Sequence, residues 1–420
     1  MMYLFFNRPN EVGIRIPPYF NPRKSHIVVK AMTFSLLIMM VFSCVQPENS
    51  LFKFDPTLIE ENNIKLSDFA DDLFYIHFAD TFPLGLVYDN VKFTKESIFI
   101  SVKDIGIIEY TRDGNFRKNI GKIGRGPGEY TFYVYFAIDD KGGFIYVLDR
   151  KNIIKVYSKS GRFLRDIDLE KYGSAIDAFD TYNSNVFVSF SIEGDNPKYK
   201  WIIIDSLGNI VRKKVNKIPA FSSSIGGFGG VYKTNDAISY WNLFSDTIFS
   251  IHDDFNEYLA FIISPGEHRL PKSKNYSMEQ YFKFMKIERI LETKRLLYIK
   301  FFFSIEKNCF AVLDKETNKT FLIYLQPENE GPLISYTGGI PNDLDNGVAF
   351  IPKNYFIQDG EEFLIGIINP SLIKTIVANN EFRNSFPKLP EKKKTLEKLA
   401  NNLNETDNPV LMIVKLKKQY

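Results

Sequence analysis

Cysteine is scarce in this 420-residue chain, which holds two, Cys44 and Cys309. Two cysteines cannot build a disulfide framework or a thiolate metal cluster. Cys309 lies in the apolar run Cys309-Phe310-Ala311-Val312-Leu313 and reads as a buried strand residue rather than a nucleophile. Histidine is scarce too: none of the four is spaced from another as metal ligands on one helix would be, so no metal site is expected. There is no G-x-S-x-G elbow, and no Ser/His/Asp set can be assembled. No catalytic residue and no cofactor are therefore expected. An excess of one charge is missing as well, the net charge being +3. The densest basic stretch, Lys392-Lys393-Lys394, shares a predicted helix with Glu391 and Glu397 and reads as a solvated face. Nucleic acid is not an expected partner. A long apolar run is also absent. The run Met32–Phe42 has the length of a signal-peptide core and is too short to span a bilayer.

That short run is nonetheless informative. Arg23, Lys24 and Lys30 precede it, and Val41-Phe42-Ser43-Cys44 closes it. This pattern resembles a bacterial lipobox: an aliphatic residue, a free position, a small residue, then the cysteine that receives lipid. Cys44 is therefore the expected lipidation site, and a membrane the expected partner through that anchor. Acyl chains bury enough methylene to hold a protein at a bilayer, each CH2 contributing about 0.8 kcal/mol. Residues 1–44 read as a signal peptide with lipobox. Residues 1–28, with Pro9, Pro17, Pro18 and Pro22, fit a leader poorly and suggest a start at Val29. Residues 45–60 read as a polar tether and residues 61–420 as the folded domain.

Aromatic residues are plentiful, with 39 Phe and 23 Tyr, which favours pleated, half-buried surfaces. They recur with a period of 47 residues. Ile98-Phe99-Ile100 aligns with Ile145-Tyr146-Val147; the same offset joins Tyr110 to Tyr157, Gly114 to Gly161 and Gly161 to Gly208. Each unit reads as strand, polar turn, strand, glycine turn, strand. Glycine supplies the positive φ such hairpin turns use. Several strands per repeat at this period are the signature of a propeller blade. A β-sandwich gives no reason for a fixed offset. The sequence thus predicts an all-β, six-bladed β-propeller with a short C-terminal helix, Pro390–Leu403, and a closing strand, Val410–Leu416, that pairs with the first blade. Insertions are expected near 270–296 and 327–353, the first holding a short helix in Ser277–Lys294.

Three stretches carry a family resemblance. Ile120-Gly121-Lys122-Ile123-Gly124-Arg125-Gly126-Pro127-Gly128-Glu129-Tyr130, the strand Trp241–Phe249 and the segment Asn404–Lys415 resemble the six-bladed, NHL-like β-propeller lipoproteins of Bacteroides-type bacteria. The resemblance implies an outer-membrane lipoprotein, facing the periplasm or the surface. It implies no agreed activity, so no catalytic residue carries over.

Two groups of polar residues are candidates for a ligand-binding rim. Arg125, Glu129 and Tyr130 lie in the glycine-rich run, which lacks the Lys-Ser/Thr of a phosphate loop and is followed by β-like sequence. The run is a rim loop or a plain blade-to-blade turn. His252 and Asp253, beside Asp254, read as a general acid/base cluster, a cation site or a polar turn after a strand. The glycine-rich loop Phe221–Tyr232 offers aromatics for sugar stacking. The expected function is a binding or scaffold module at the cell envelope, with an envelope protein or glycan as ligand. The rival is a propeller lyase or hydrolase acting on glycans or peptides at the channel mouth.

Overall fold

The computed structural model describes residues 53–55, 64–131, 135–173, 175–194, 197–223, 229–272, 276–302, 308–327 and 336–418, all within the unit Phe52–Tyr420. The signal segment and Cys44 lie outside the described residues. Six antiparallel sheets form six blades. Blade 1 comprises Val87–Phe93, Ser97–Val102, Gly106–Thr111 and Phe116–Ile120. Blade 2 comprises Phe136–Asp139, Phe144–Asp149, Ile153–Ser158 and Phe163–Asp168. Blade 3 comprises Ile176–Tyr182, Asn185–Phe190, Tyr199–Ile204 and Ile210–Val215. Blade 4 comprises Gly230–Lys233, Ile238–Trp241, Thr247–Ile251 and Glu257–Ile263. Blade 5 comprises Lys286–Glu292, Leu296–Phe302, Asn308–Asp314 and Lys319–Pro327, edged by Tyr336–Gly338. Blade 6 comprises Asn354–Gln358, Glu361–Ile368 and Val410–Leu416, completed by Ala70–His77.

The 47-residue period follows from this layout. The third strands of blades 1 to 4 begin at Gly106, Ile153, Tyr199 and Thr247. The turns after the first three contain glycine at positive φ, +88° at Gly114 and +90° at Gly208. In the fourth turn the equivalent position is Phe255, at φ +55°, which a bulky residue rarely adopts.

Each blade packs face to face on both neighbours, so its middle strands are apolar on both sides. All six residues of Ser97–Val102 are buried. The apolar clusters of the described residues fall one to each interblade cleft. Between blades 1 and 2, for example, Phe99, Ile107 and Ile120 meet Phe136, Ile145 and Val147. Between blades 3 and 4, Phe187 and Trp201 meet Ile238 and Tyr240. The first, innermost strand of each blade lies beside its neighbours' inner strands and walls a central channel.

Ring closure joins the two ends of the fold. Val410–Leu416 pairs with Glu361–Ile368 on one side and Ala70–His77 on the other. The expected partner was a strand of the first blade; the actual partner precedes that blade and serves as the outer strand of blade 6. Helices Pro370–Ala378, Asn380–Asn384 and Pro390–Asn402 are inserted between the second and third strands of blade 6. Leu396 and Ala400 seat the last of them on the core. No helix among the described residues is long and apolar enough to cross a membrane.

Three sequence assignments shift. The helix expected in Ser277–Lys294 is confined to Met278–Lys283, with the Ser277–Gln280 capping box in place. The remainder is the inner strand of blade 5, not an insertion. Trp241–Phe249 is two strand ends around a turn, because Asn242 to Asp246 reverse the chain. In the expected tether, Lys53–Phe54 is a strand, paired in parallel with the outer strand of blade 4.

Candidate functional site

Antiparallel order dictates where loops emerge. Within a four-stranded blade, the turns after strands 1 and 3 lie at one face of the ring. Turns after strand 2, and the links from strand 4 to the next blade, lie at the other. Arg125, Glu129 and Tyr130 belong to a link from strand 4. His252 and Asp253 belong to a turn after strand 3. The two candidate groups therefore sit on opposite faces and do not converge.

Their contacts hold turns together. Tyr130 is buried, its hydroxyl donating to Ile120 O at 2.7 Å and accepting from Ile107 N at 3.0 Å. Glu129 Oε2 accepts from Gly126 N at 2.8 Å, and Tyr157 OH donates to Gly128 O at 2.8 Å. Arg125 is exposed. Asp253 accepts from Tyr182 OH and Asn183 Nδ2, both at 2.7 Å, tying blade 4 to blade 3. His252 stands edge-on to Tyr258. Of the loop Phe221–Tyr232, residues 224–228 lie outside the described residues; Phe221 packs on Phe244. None of the five candidate residues lines the channel.

The channel is a cavity of about 1400 Å³ walled by the inner strands of all six blades. Inner strands face water rather than another blade, so they accommodate charge that the middle strands cannot. Two ionic triads cross this space. Lys92 of blade 1 reaches Asp180 of blade 3 at 2.6 Å, and Lys233 of blade 4 reaches the same carboxylate at 3.1 Å. Arg289 of blade 5 and Lys353 of blade 6 both meet Asp89 of blade 1 at 3.0 Å. Nearby, Lys300 pairs with Glu288 at 2.8 Å. Burial pushes the Asp180 carboxyl up, but Lys233 and Lys92 outweigh it and hold it at about 2. Burial likewise works against Asp89, whose neighbours Arg289, Lys353 and Lys300 keep it well below the usual carboxylate range. The same burial lowers the Lys92 and Lys353 ammonium groups, against the pull of their carboxylate partners.

Behind the wall, Asp177 stands apart from these pairs. It accepts from Gly229 N at 2.5 Å and Asn242 Nδ2 at 2.8 Å, bridging blades 3 and 4. Burial raises its carboxyl to about 6 in spite of those two donors. At the ring closure, ligand atoms of His77, Asp80 and Asp407 lie within 4.8 Å of one another. Asn408 stitches the same corner, donating to Ala79 O and Phe82 O at 3.0 Å and accepting from Leu84 N at 2.8 Å.

The triads were not among the sequence candidates. Their members follow no fixed offset, since the loops leading into the inner strands differ in length. The one signal is a charged residue inside a short strand just ahead of an apolar hairpin, as in Asp89–Lys92 before Ile98-Phe99-Ile100.

Comparison with known proteins bears on fold and family. The family model described as a domain of unknown function, DUF4934, matches residues 51–415. A solved protein of Bacteroides fragilis, described as a candidate exported protein, is 19% identical; the match covers 87% of this chain and 99% of that one, with a TM-score of 0.63. A DUF4221 family member from Bacteroides vulgatus is 11% identical over 84% of this chain and 98% of that one, with a TM-score of 0.46. A streptogramin B lyase is 12% identical over 70% of this chain and 94% of that one, with a TM-score of 0.39. The first shows the propeller fold; the other two are too distant to carry an argument. No functionally curated protein matches the chain.

Proposed function

This chain belongs to the DUF4934 family, a domain of unknown function, and we propose that it is an exported, lipid-anchored propeller that binds a ligand in its central channel at the cell envelope. The observation that carries the binding role is the channel itself. A cavity of about 1400 Å³, walled by six inner strands and crossed by charged residues from five blades, exceeds the roughly 300–1,000 Å³ of a small-molecule pocket and leaves room for a ligand beside its charged groups. The anchor reading rests on the lipobox and Cys44; the exported neighbour from Bacteroides fragilis accords with it. The channel suits binding better than acid/base catalysis. The carboxylates of its triads are locked in ion pairs and held ionised, so neither is poised near neutral pH as a general acid or base would be.

Two measurements test this reading. Metabolic labelling with an alkyne fatty acid should mark the full chain and not Cys44→Ala; equal labelling of both removes the anchor. Hydrogen exchange on the protein with and without its cell-envelope extract should show added protection on inner strands such as Val87–Phe93 and Lys286–Glu292. Protection confined to outer strands would place the binding surface on the rim of the ring instead.

A further inference from the structure

We propose that the channel ligand is an anion, seated through a carboxylate, phosphate or sulfate group between the two triads; this rests on the channel being the binding site. Each triad shares one carboxylate between two cations and so keeps one positive charge unmatched. Asp180 faces Lys92 and Lys233, and Asp89 faces Arg289 and Lys353. The rest of the charged lining does not supply the missing anions. Glu288 is taken by Lys300, and Glu292 by Lys315 at 3.0 Å and the Tyr232 hydroxyl at 2.8 Å. Among the described lining residues, five cations (Lys92, Lys233, Lys300, Lys353, Arg289) thus stand against four carboxylates.

A surplus charge in a confined, partly desolvated space raises the energy of the empty protein. An entering oxyanion relieves that repulsion. Arg289 adds a specific donor: Nη2 bonds Asp89, while Nη1 is shut off from water with no acceptor among the described residues. A charged N–H left unpaired is costly, and a modest turn of the guanidinium would present it to an oxyanion beside Lys353. Aromatic rings share the wall, including Tyr135, Phe302 and Phe356, and give an apolar body room next to the charges. The arrangement therefore fits a small organic anion, an acidic sugar or a phosphorylated metabolite, as well as the free mineral ion.

The experiment uses the full chain in detergent, with unfolding midpoints measured at matched ionic strength in KCl, inorganic phosphate, sulfate and D-glucuronate, with glucose as the neutral probe. At least one oxyanion should raise the midpoint over KCl, and glucose should not. Glucuronate alone points to an acidic sugar; phosphate points to a phosphoryl group; sulfate alone points to a sulfated ligand or the mineral ion. Lys233→Met and Lys353→Met each remove one surplus cation and leave a one-to-one ion pair. Each should keep or raise the ligand-free midpoint and weaken oxyanion binding about tenfold. Lys233→Gln and Lys353→Gln serve if a Met variant does not fold. An oxyanion effect undiminished in all these variants places the anion elsewhere and overturns the proposal. Inner-strand protection by glucose or extract, with no effect of any oxyanion, overturns the anion and leaves the channel reading standing. No inner-strand protection by any probe or extract removes both.

Discussion

Tyr130→Phe isolates what the glycine-rich run does. The substitution removes one oxygen atom and leaves the ring in the cleft between blades 1 and 2. That oxygen makes two hydrogen bonds, to Ile120 O at 2.7 Å and from Ile107 N at 3.0 Å. Tyr130 is 1% exposed, so water cannot take over either partner. An orphaned buried N–H costs about 1–3 kcal/mol, and the lost bond to the carbonyl adds about 0.5–1.5 kcal/mol. The expected loss is therefore about 1.5–4.5 kcal/mol. Urea unfolding followed by tryptophan fluorescence should show a lower midpoint and an unchanged m-value, since the folded surface does not change. Binding in the channel should be unaffected. A loss below about 0.5 kcal/mol, or a binding defect at full stability, would show that Tyr130 serves a ligand rather than the turn.

Further expectations follow from other sites. The Asp177 carboxyl is raised from 3.8 to about 6, so the fold prefers its protonated form. Its contribution is present in full below about pH 4 and is lost as pH rises through about 6, a change of up to ~3 kcal/mol. Asp177→Asn should lack this change, and unfolding curves at pH 4, 5, 6 and 7 that run parallel for both proteins would refute it. Gly114→Ala should cost ~2 kcal/mol or more, since its φ is +88° and a Cβ there would come 2.1 Å from His77 O. Gly143→Ala, at φ +74° with nothing near the Cβ, should cost only ~1 kcal/mol; equal midpoint losses would contradict the packing argument. Cys309 is 1% exposed and should react with a thiol reagent only on unfolding, read by mass mapping of its peptide. Rapid labelling in the native state would show that blade 5 opens on its own.

The parts of the fold legible in the sequence are those where blades are spaced evenly. Third strands and glycine turns of blades 1 to 3 keep one offset because nothing is inserted between them. The offset fades after Thr247 because loop residues and a short helix precede Lys286, and three helices separate Ile368 from Val410. Inner strands are illegible for a different reason. Phe136–Asp139 and Gly230–Lys233 are four residues long, too short to show alternation. Longer ones carry charge toward water on a surface that no local pattern announces. The candidate rim failed to converge because the two faces of a propeller are told apart only by counting strands. Missing one inner strand per blade hides that Tyr130 and Asp253 belong to opposite faces.

The short strand Lys53–Phe54 has a consequence for how the ring is held. It is bonded to the outer strand of blade 4, with Phe54 buried against Phe301. Eight residues lie between Cys44 and Lys53, a reach of at most about 30 Å when fully extended. The chain therefore meets the wheel at its tread and not at its hub. Neither residue of that strand is part of the channel wall, so a chain arriving there leaves the inner strands uncovered.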